Sequence, residues 1–155
     1  MAEQDQNAQA QQAPLSDEQR REMENQWVRQ SFQKANAYLA SKGILPQGVR
    51  QADSRILPPL VGIWRIKAKE NNKVADYWVV TGNLPADHVA LSTAPSARDA
   101  LRHFSLQWQL QAENIAQGPG RADKMQMDFA RLLVDRAEGL YRLYTDEKLW
   151  GQQPA

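Results

Sequence analysis

The chain has 155 residues, 42% hydrophobic and 24% charged, with a net charge of +1 and no cysteine. That length suits one domain with a real core, and the balanced charge gives no overall field for nucleic acid, anionic membrane or acidic substrate. The lack of cysteine excludes disulfides, thiolate nucleophiles and thiolate metal sites.

Between Met1 and Pro14 lie five glutamines and four alanines. Such a segment cannot bury enough apolar surface to offset its ordering entropy, so residues 1–15 are predicted as a disordered tail. Residues 16–150 are predicted as a single domain and 151–155 as a frayed end. The N-terminus has neither a basic n-region nor an apolar h-region, and no apolar run approaches a membrane span; a cytoplasmic protein is expected.

Ser16 followed by Gln19 has capping-box spacing and starts a helix. Val28, Phe32, Ala35 and Leu39 form its apolar stripe, flanked by Trp27 and Tyr38. Lys42-Gly43 is the stop, because glycine accepts the left-handed conformation at C′. Pro46, Gly48, Pro58 and Pro59 punctuate the next stretch, which reads as a loop with one short edge strand around Val49 to Ile56.

Val61 to Glu70 and Lys73 to Thr81 form a hairpin joined by Asn71-Asn72, since asparagine tolerates positive φ. A two-residue loop makes opposed positions sum to 143. Lys67 then faces Asp76, and Arg65 faces Trp78. Trp64, Ile66, Ala68, Ala75, Tyr77 and Val79 share the other face, which is expected to meet the core.

After the segment Asn83-Leu84-Pro85-Ala86-Asp87-His88, Ser96 and Asp99 cap a second helix. Ala97, Leu101, Phe104, Trp108 and Ile115 form one stripe. Asp99, His103, Leu106 and Leu110 form a second, nearly opposite. Two apolar sides predict a central helix, wedged between the sheet and another helix. Gly118-Pro119-Gly120 ends it.

A third helix is expected from about Arg121 to Leu149, with Met125, Phe129, Leu132, Leu133, Ala137, Leu140, Leu143 and Tyr144 as its apolar set. Asp128–Arg131 and Glu138–Arg142 have helical ion-pair spacing. Gly139 in mid-helix points to a close approach by another element. The fold class is α+β: a helix, a two- or three-stranded antiparallel sheet, then two long helices packed on one sheet face.

The candidate ligand-binding residues are Asp87, His88, Arg98, Asp99, Arg102 and His103. Asp99 and His103, at i, i+4, have the spacing of a carboxylate orienting an imidazole. Arg98 and Arg102 have the spacing of a fork for an anion beside the free N–H groups of a helix start. Asp87 and His88, in the preceding loop, are placed to fold back over that start. His88, His103 and one of the two aspartates have metal-ligand chemistry but no tight ligand motif. As an acid–base pair, His103 and Asp99 lack an adjacent nucleophile beyond Ser96 and Ser105.

A purely structural reading stands beside these. Asp99 serves as a capping residue, His103 bonds to Asp99 one turn back, and the arginines pair with acids such as Asp87. The five tryptophans are core or interface anchors. No metal and no cofactor is predicted.

Between Lys42 and His103 there are nine Lys/Arg against five Asp/Glu. Arg65, Lys67, Lys69 and Trp78 therefore form a candidate basic-aromatic surface on the hairpin, the weak nucleic-acid alternative. A solvated sheet face containing Asp76 is the simpler account.

The sequence resembles a family of uncharacterised small bacterial proteins. The resemblance is carried by Tyr77-Trp78-Val79-Val80-Thr81-Gly82-Asn83-Leu84-Pro85-Ala86-Asp87-His88, then Ala97-Arg98-Asp99-Ala100-Leu101-Arg102-His103-Phe104 and Trp108-Gln109, and Arg136-Ala137-Glu138-Gly139-Leu140-Tyr141. It spans Ser16 to Trp150 and implies bacterial origin and one intact domain, with no assigned activity and no catalytic residues to transfer.

The expectation is a non-enzymatic binding or protein-interaction module, acting through an open sheet face or an edge strand on a partner or a second copy. The alternative is a small-anion-binding or metal-dependent enzyme around Asp87, His88, Asp99, Arg102 and His103. Neither a membrane partner nor strong nucleic-acid binding is expected.

Overall fold

Ser16 opens the first helix of the structure, a computed structural model that describes residues 13–151. Most of the tail and terminal residues read as disordered or frayed lie outside that range. Helix α1 (Asp17–Ser41) begins with the expected capping box: Ser16 Oγ accepts from the Gln19 N–H at 3.1 Å, and Gln19 Oε1 accepts from the Ser16 N–H at 2.9 Å. It stops at Gly43, whose φ of +79° is the left-handed value that glycine reaches without a Cβ clash. Residues 17–26 are exposed; burial begins with Ser31, Ala35 and Leu39.

Strands β3 (Val61–Glu70) and β4 (Lys73–Gly82) form the hairpin in the predicted register, with Lys67 opposite Asp76 and Arg65 opposite Trp78. Asn71 and Asn72 have φ of +50° and +64°, as a two-residue turn that follows strand twist requires. The single short strand expected around Val49 to Ile56 is instead two. Strands β1 (Leu45–Val49) and β2 (Arg55–Leu57) lie end to end along β3, with a turn between them. Pro46 and Gly48 are tolerated because β1 is an edge, and the register slips between them.

A further strand, β5 (Asp87–Ala90), pairs antiparallel with β4, so Asp87 and His88 belong to a strand and not to a loop. The sheet therefore has five strands in the order β1-β3-β4-β5, with β2 also on β3.

Helices cover both sheet faces. On one, Ala35, Leu39 and Ile44 pack against Trp64, Ile66, Ala68 and Val79, with Phe32 and Val28 at the margin. On the other, helices α2 (Ala97–Gln117) and α3 (Lys124–Thr145) pack against Val61, Ile63, Trp78, Val80 and Val89. The two long helices thus share one face, as the α+β reading requires. The face expected to stay open is occupied where those helices lie.

Trp78 corrects the expected surface most clearly. It is 1% exposed, and its indole N–H donates to the carbonyl of Ala94. That face is dry at Val61, Ile63, Trp78 and Val80, where the helices pack, and wet toward the hairpin tip, where Lys67 is exposed.

Helix α2 is not a wedge between opposite neighbours. Its buried residues (Ala97, Ala100, Leu101, Phe104, Ser105, Trp108 and Ala112) form one broad face that meets both the sheet and α3. Leu106 and Leu110, from the supposed second stripe, are 45% and 54% exposed.

A 3-10 turn, Pro119–Ala122, reverses the chain, and Asp123 caps α3 through the N–H groups of Met125 and Gln126. The helix ends at Asp146, whose carboxylate caps a short helix α4 (Glu147–Trp150). The Asp128–Arg131 pair forms at 2.8 Å, whereas Glu138–Arg142 forms none among the described residues. No neighbour approaches within 4 Å of a Cβ built on Gly139, contrary to the expected close contact.

A buried polar triad docks α1. Thr81 Oγ1 accepts from the Trp64 indole at 2.9 Å, lies 2.5 Å from Ser31 Oγ and donates to the Ser31 carbonyl at 3.2 Å. With Ser31 Oγ as a donor, one hydroxyl satisfies one donor and two acceptor roles.

Candidate functional site

The edge strand and the flank of α2 enclose a groove. Gln107, Gln111 and Asn114 recur at i, i+4 and i+7, so they project along one side of the helix. With Leu110, His103, Asp87 and His88 they line a solvent-open cavity of about 350 Å³. Three of the six candidate residues therefore gather here.

Asp87 is held from two sides. One carboxylate oxygen accepts from the His88 N–H at 2.8 Å, and the other from the Trp108 indole at 2.9 Å. No Lys or Arg forms an ion pair with it among the described residues, leaving an uncompensated, half-buried negative charge.

The His88 ring lies toward α1. Its Nδ1 is 2.9 Å from the Tyr38 hydroxyl, and the ring packs between Tyr38 and Tyr77 at centroid distances of 5.4 and 5.9 Å. Burial, reinforced by the Asp87 carboxylate, pushes the Tyr38 phenol up to about 12, so it stays protonated. His103 packs edge-on against Phe104 and makes no hydrogen bond to Asp99. The two imidazoles share a cavity but occupy different environments.

The remaining candidates do not converge on it. Asp99 stays at the start of α2, where its N–H donates to Ser96 Oγ and its carboxylate accepts from the same hydroxyl. Capping won over the His103 pairing because cap geometry is local and already satisfied. Arg98 is tied to the C-terminal segment. Its Nε donates to the Tyr144 carbonyl at 3.0 Å, another guanidinium nitrogen meets Glu147 at 2.9 Å, and the group lies over Tyr144 and Trp150. That bond holds the Glu147 carboxyl below its usual range. Arg102 is exposed, so no arginine fork forms.

Asp87 and His88 flank the middle of α2 rather than its start, because β4 fixes their strand. Ser96 Oγ is used in the cap, and Ser105 Oγ donates to the Ala137 carbonyl inside the core. Among the described residues, no group of three His, Asp or Glu side chains is placed to hold a metal.

The basic hairpin surface also breaks up. Arg65 is bound by Asp76 at 2.8 Å and Asp53 at 2.9 Å, Trp78 is buried, and Lys67 and Lys69 form no ion pair among the described residues. A stacking face for bases is therefore missing from this surface.

Residues 20–150 match the model of a domain of unknown function, DUF4826. The chain belongs to that family. No curated protein and no solved structure matches it. In this DUF4826 domain, Tyr38 and Trp108, expected only as packing residues, contact the site, and the amide row joins it without having been a candidate. The amide row was legible as helical spacing. Tyr38 was not, since it lies 50 residues from His88. No described helix is long and apolar enough to cross a membrane.

Proposed function

We propose that the 16–150 domain is a non-enzymatic binding module of the bacterial cytoplasm. Its partner is an extended polar peptide segment that carries a cationic side chain and lies along β5 in the groove against α2. The carrying observation is the edge of β5, which pairs with no further strand among the described residues, beside a row of amides and a carboxylate with no ion pair among those residues. The Leu91 N–H donates to the Asp76 carbonyl, and antiparallel alternation then turns residues 89 and 87 toward β4 and residues 88 and 90 away.

On the outward side the His88 N–H is taken by Asp87, and the Ala90 carbonyl by the Thr93 N–H. The His88 carbonyl and the Ala90 N–H, without a partner among the described residues, flank Val89 in the pattern that one residue of an added parallel strand bridges. Gln107, Gln111 and Asn114 offer both donors and acceptors to its side chains. Asp87 retains lone pairs for its cation.

Selection from a random peptide library tests this. Enriched peptides should carry Lys or Arg and lose affinity at least tenfold for Gln111→Arg, which puts a cation in the groove. They should bind Lys73→Glu, at the hairpin tip, like the wild type. Enrichment indifferent to Gln111→Arg would refute the groove. A second copy of the chain as occupant would appear as concentration-dependent dimerisation sensitive to the same substitution.

A further inference from the structure

Gly139 occupies the middle of α3, where glycine costs about 1 kcal/mol relative to alanine. None of the usual reasons for a helical glycine applies. Its φ is not positive, and a Cβ there would meet nothing within 4 Å. What lies above it is a cavity of about 420 Å³, within the range of small-molecule pockets, that shares no lining residue with the β5 groove.

Leu60, Leu84, Leu140 and Leu143 furnish the apolar lining, and Leu60 is 58% exposed on the wall. Arg136 pins this side of α3 to the loop after β4 by donating Nε–H to the Asn83 carbonyl at 2.7 Å, and it pairs with Asp135. Arg142 at the rim has no ion-pair partner among the described residues. The missing side chain thus opens an apolar recess, and the free guanidinium supplies one positive charge at its mouth.

We infer that this recess binds a small apolar anion, an aliphatic or aromatic carboxylate whose hydrocarbon body lies over Gly139 and whose carboxylate meets Arg142. A guanidinium suits this role because it binds a carboxylate through two parallel N–H bonds. The site is independent of the peptide groove, and its failure would leave that reading untouched.

Calorimetric titration of the full chain with sodium octanoate, 1-octanol and sodium butyrate tests the inference. Octanoate should bind at one site per chain, and butyrate at least tenfold more weakly, having less apolar surface to bury. Gly139→Leu fills the recess and should abolish octanoate binding. Gly139→Ala should raise the melting temperature of the free protein while weakening octanoate, a combination that a merely structural glycine would not give. Arg142→Gln should reduce octanoate affinity about tenfold and leave octanol unchanged.

Octanoate binding that persists in both Gly139 variants, several weak sites in place of one, or no binding at millimolar octanoate would overturn the proposal. An Arg142→Gln variant that binds octanoate like the wild type would overturn its anionic half.

Discussion

Asp87→Asn is the substitution that best separates the structural work of the candidate site from its binding chemistry. The carboxylate accepts two N–H groups on different oxygens, from His88 at 2.8 Å and from Trp108 at 2.9 Å. Asparagine has the same shape but only one acceptor oxygen. Its amide nitrogen must point at one of the two donors, losing that bond and leaving an N–H against an N–H. Trp108 is 1% exposed, so water reaches its ring poorly. A hydrogen bond to a charged group is worth about 1.5–3 kcal/mol, and the stranded donor keeps its desolvation cost. The substitution should therefore cost about 2–3 kcal/mol.

For a domain of this size that corresponds to a fall in Tm of roughly 5–10 °C. Guanidinium unfolding followed by far-ultraviolet circular dichroism measures it. Trp108→Phe removes the competing donor, so in a double-mutant cycle Asp87→Asn should cost at least about 1.5 kcal/mol less on that background. Strict additivity, or an Asp87→Asn variant within about 0.5 kcal/mol of wild type, would show that the Asp87–Trp108 bond does not hold this wall of the groove.

Thr81→Val strands both the Trp64 indole and the Ser31 hydroxyl and should cost about 2–5 kcal/mol, whereas Ser31→Ala leaves the other two bonds of Thr81 intact and should cost about 1 kcal/mol. Denaturation midpoints in the reverse order would contradict the docking of α1 through this triad. Tyr38 has its phenol raised from 10.0 to about 12, so the fold favours the protonated form. That contribution is fully present below pH 10 and lost as pH rises from 10 to 12; solvent screening at this half-buried ring reduces it to about 1 kcal/mol. Tyr38→Phe should remove a late step from the tyrosinate absorbance titration and flatten stability over that window. Arg98→Lys cannot reproduce the contacts of the guanidinium to the Tyr144 carbonyl, Glu147 and the two aromatic rings, so hydrogen exchange should speed up across Glu147–Trp150. Unchanged exchange there would mean α4 is held by other contacts.

Locally coded features were legible in the sequence. Ser16–Gln19, Gly43 and Ser96–Asp99 fixed helix ends, and Asn71-Asn72 with the 143-sum register fixed the hairpin. What escaped depends on contacts distant in the chain. Strand β5 has four residues behind a proline, too few for alternation to show, and only pairing with β4 makes it a strand. Trp78 was placed with Arg65, Lys67 and Asp76, whose face it shares, because alternation names a face but not which part of it the helices cover. Asp99 and His103 had suitable spacing, yet the cap claimed the carboxylate. Of the candidate residues, Asp87, His88 and His103 reached one cavity, while Arg98 and Asp99 became parts of the scaffold.

An extended peptide received at the β5 edge beside α2 would cover the outward groups of that strand. Amide hydrogen exchange of the domain, free and saturated with a library-selected peptide, tests it at single residues. Binding should strongly protect the Ala90 N–H, shift the side-chain amide resonances of Gln107, Gln111 and Asn114, and leave exchange in the β3–β4 turn unchanged. Tight binding with the Ala90 N–H exchanging as in the free protein would contradict it.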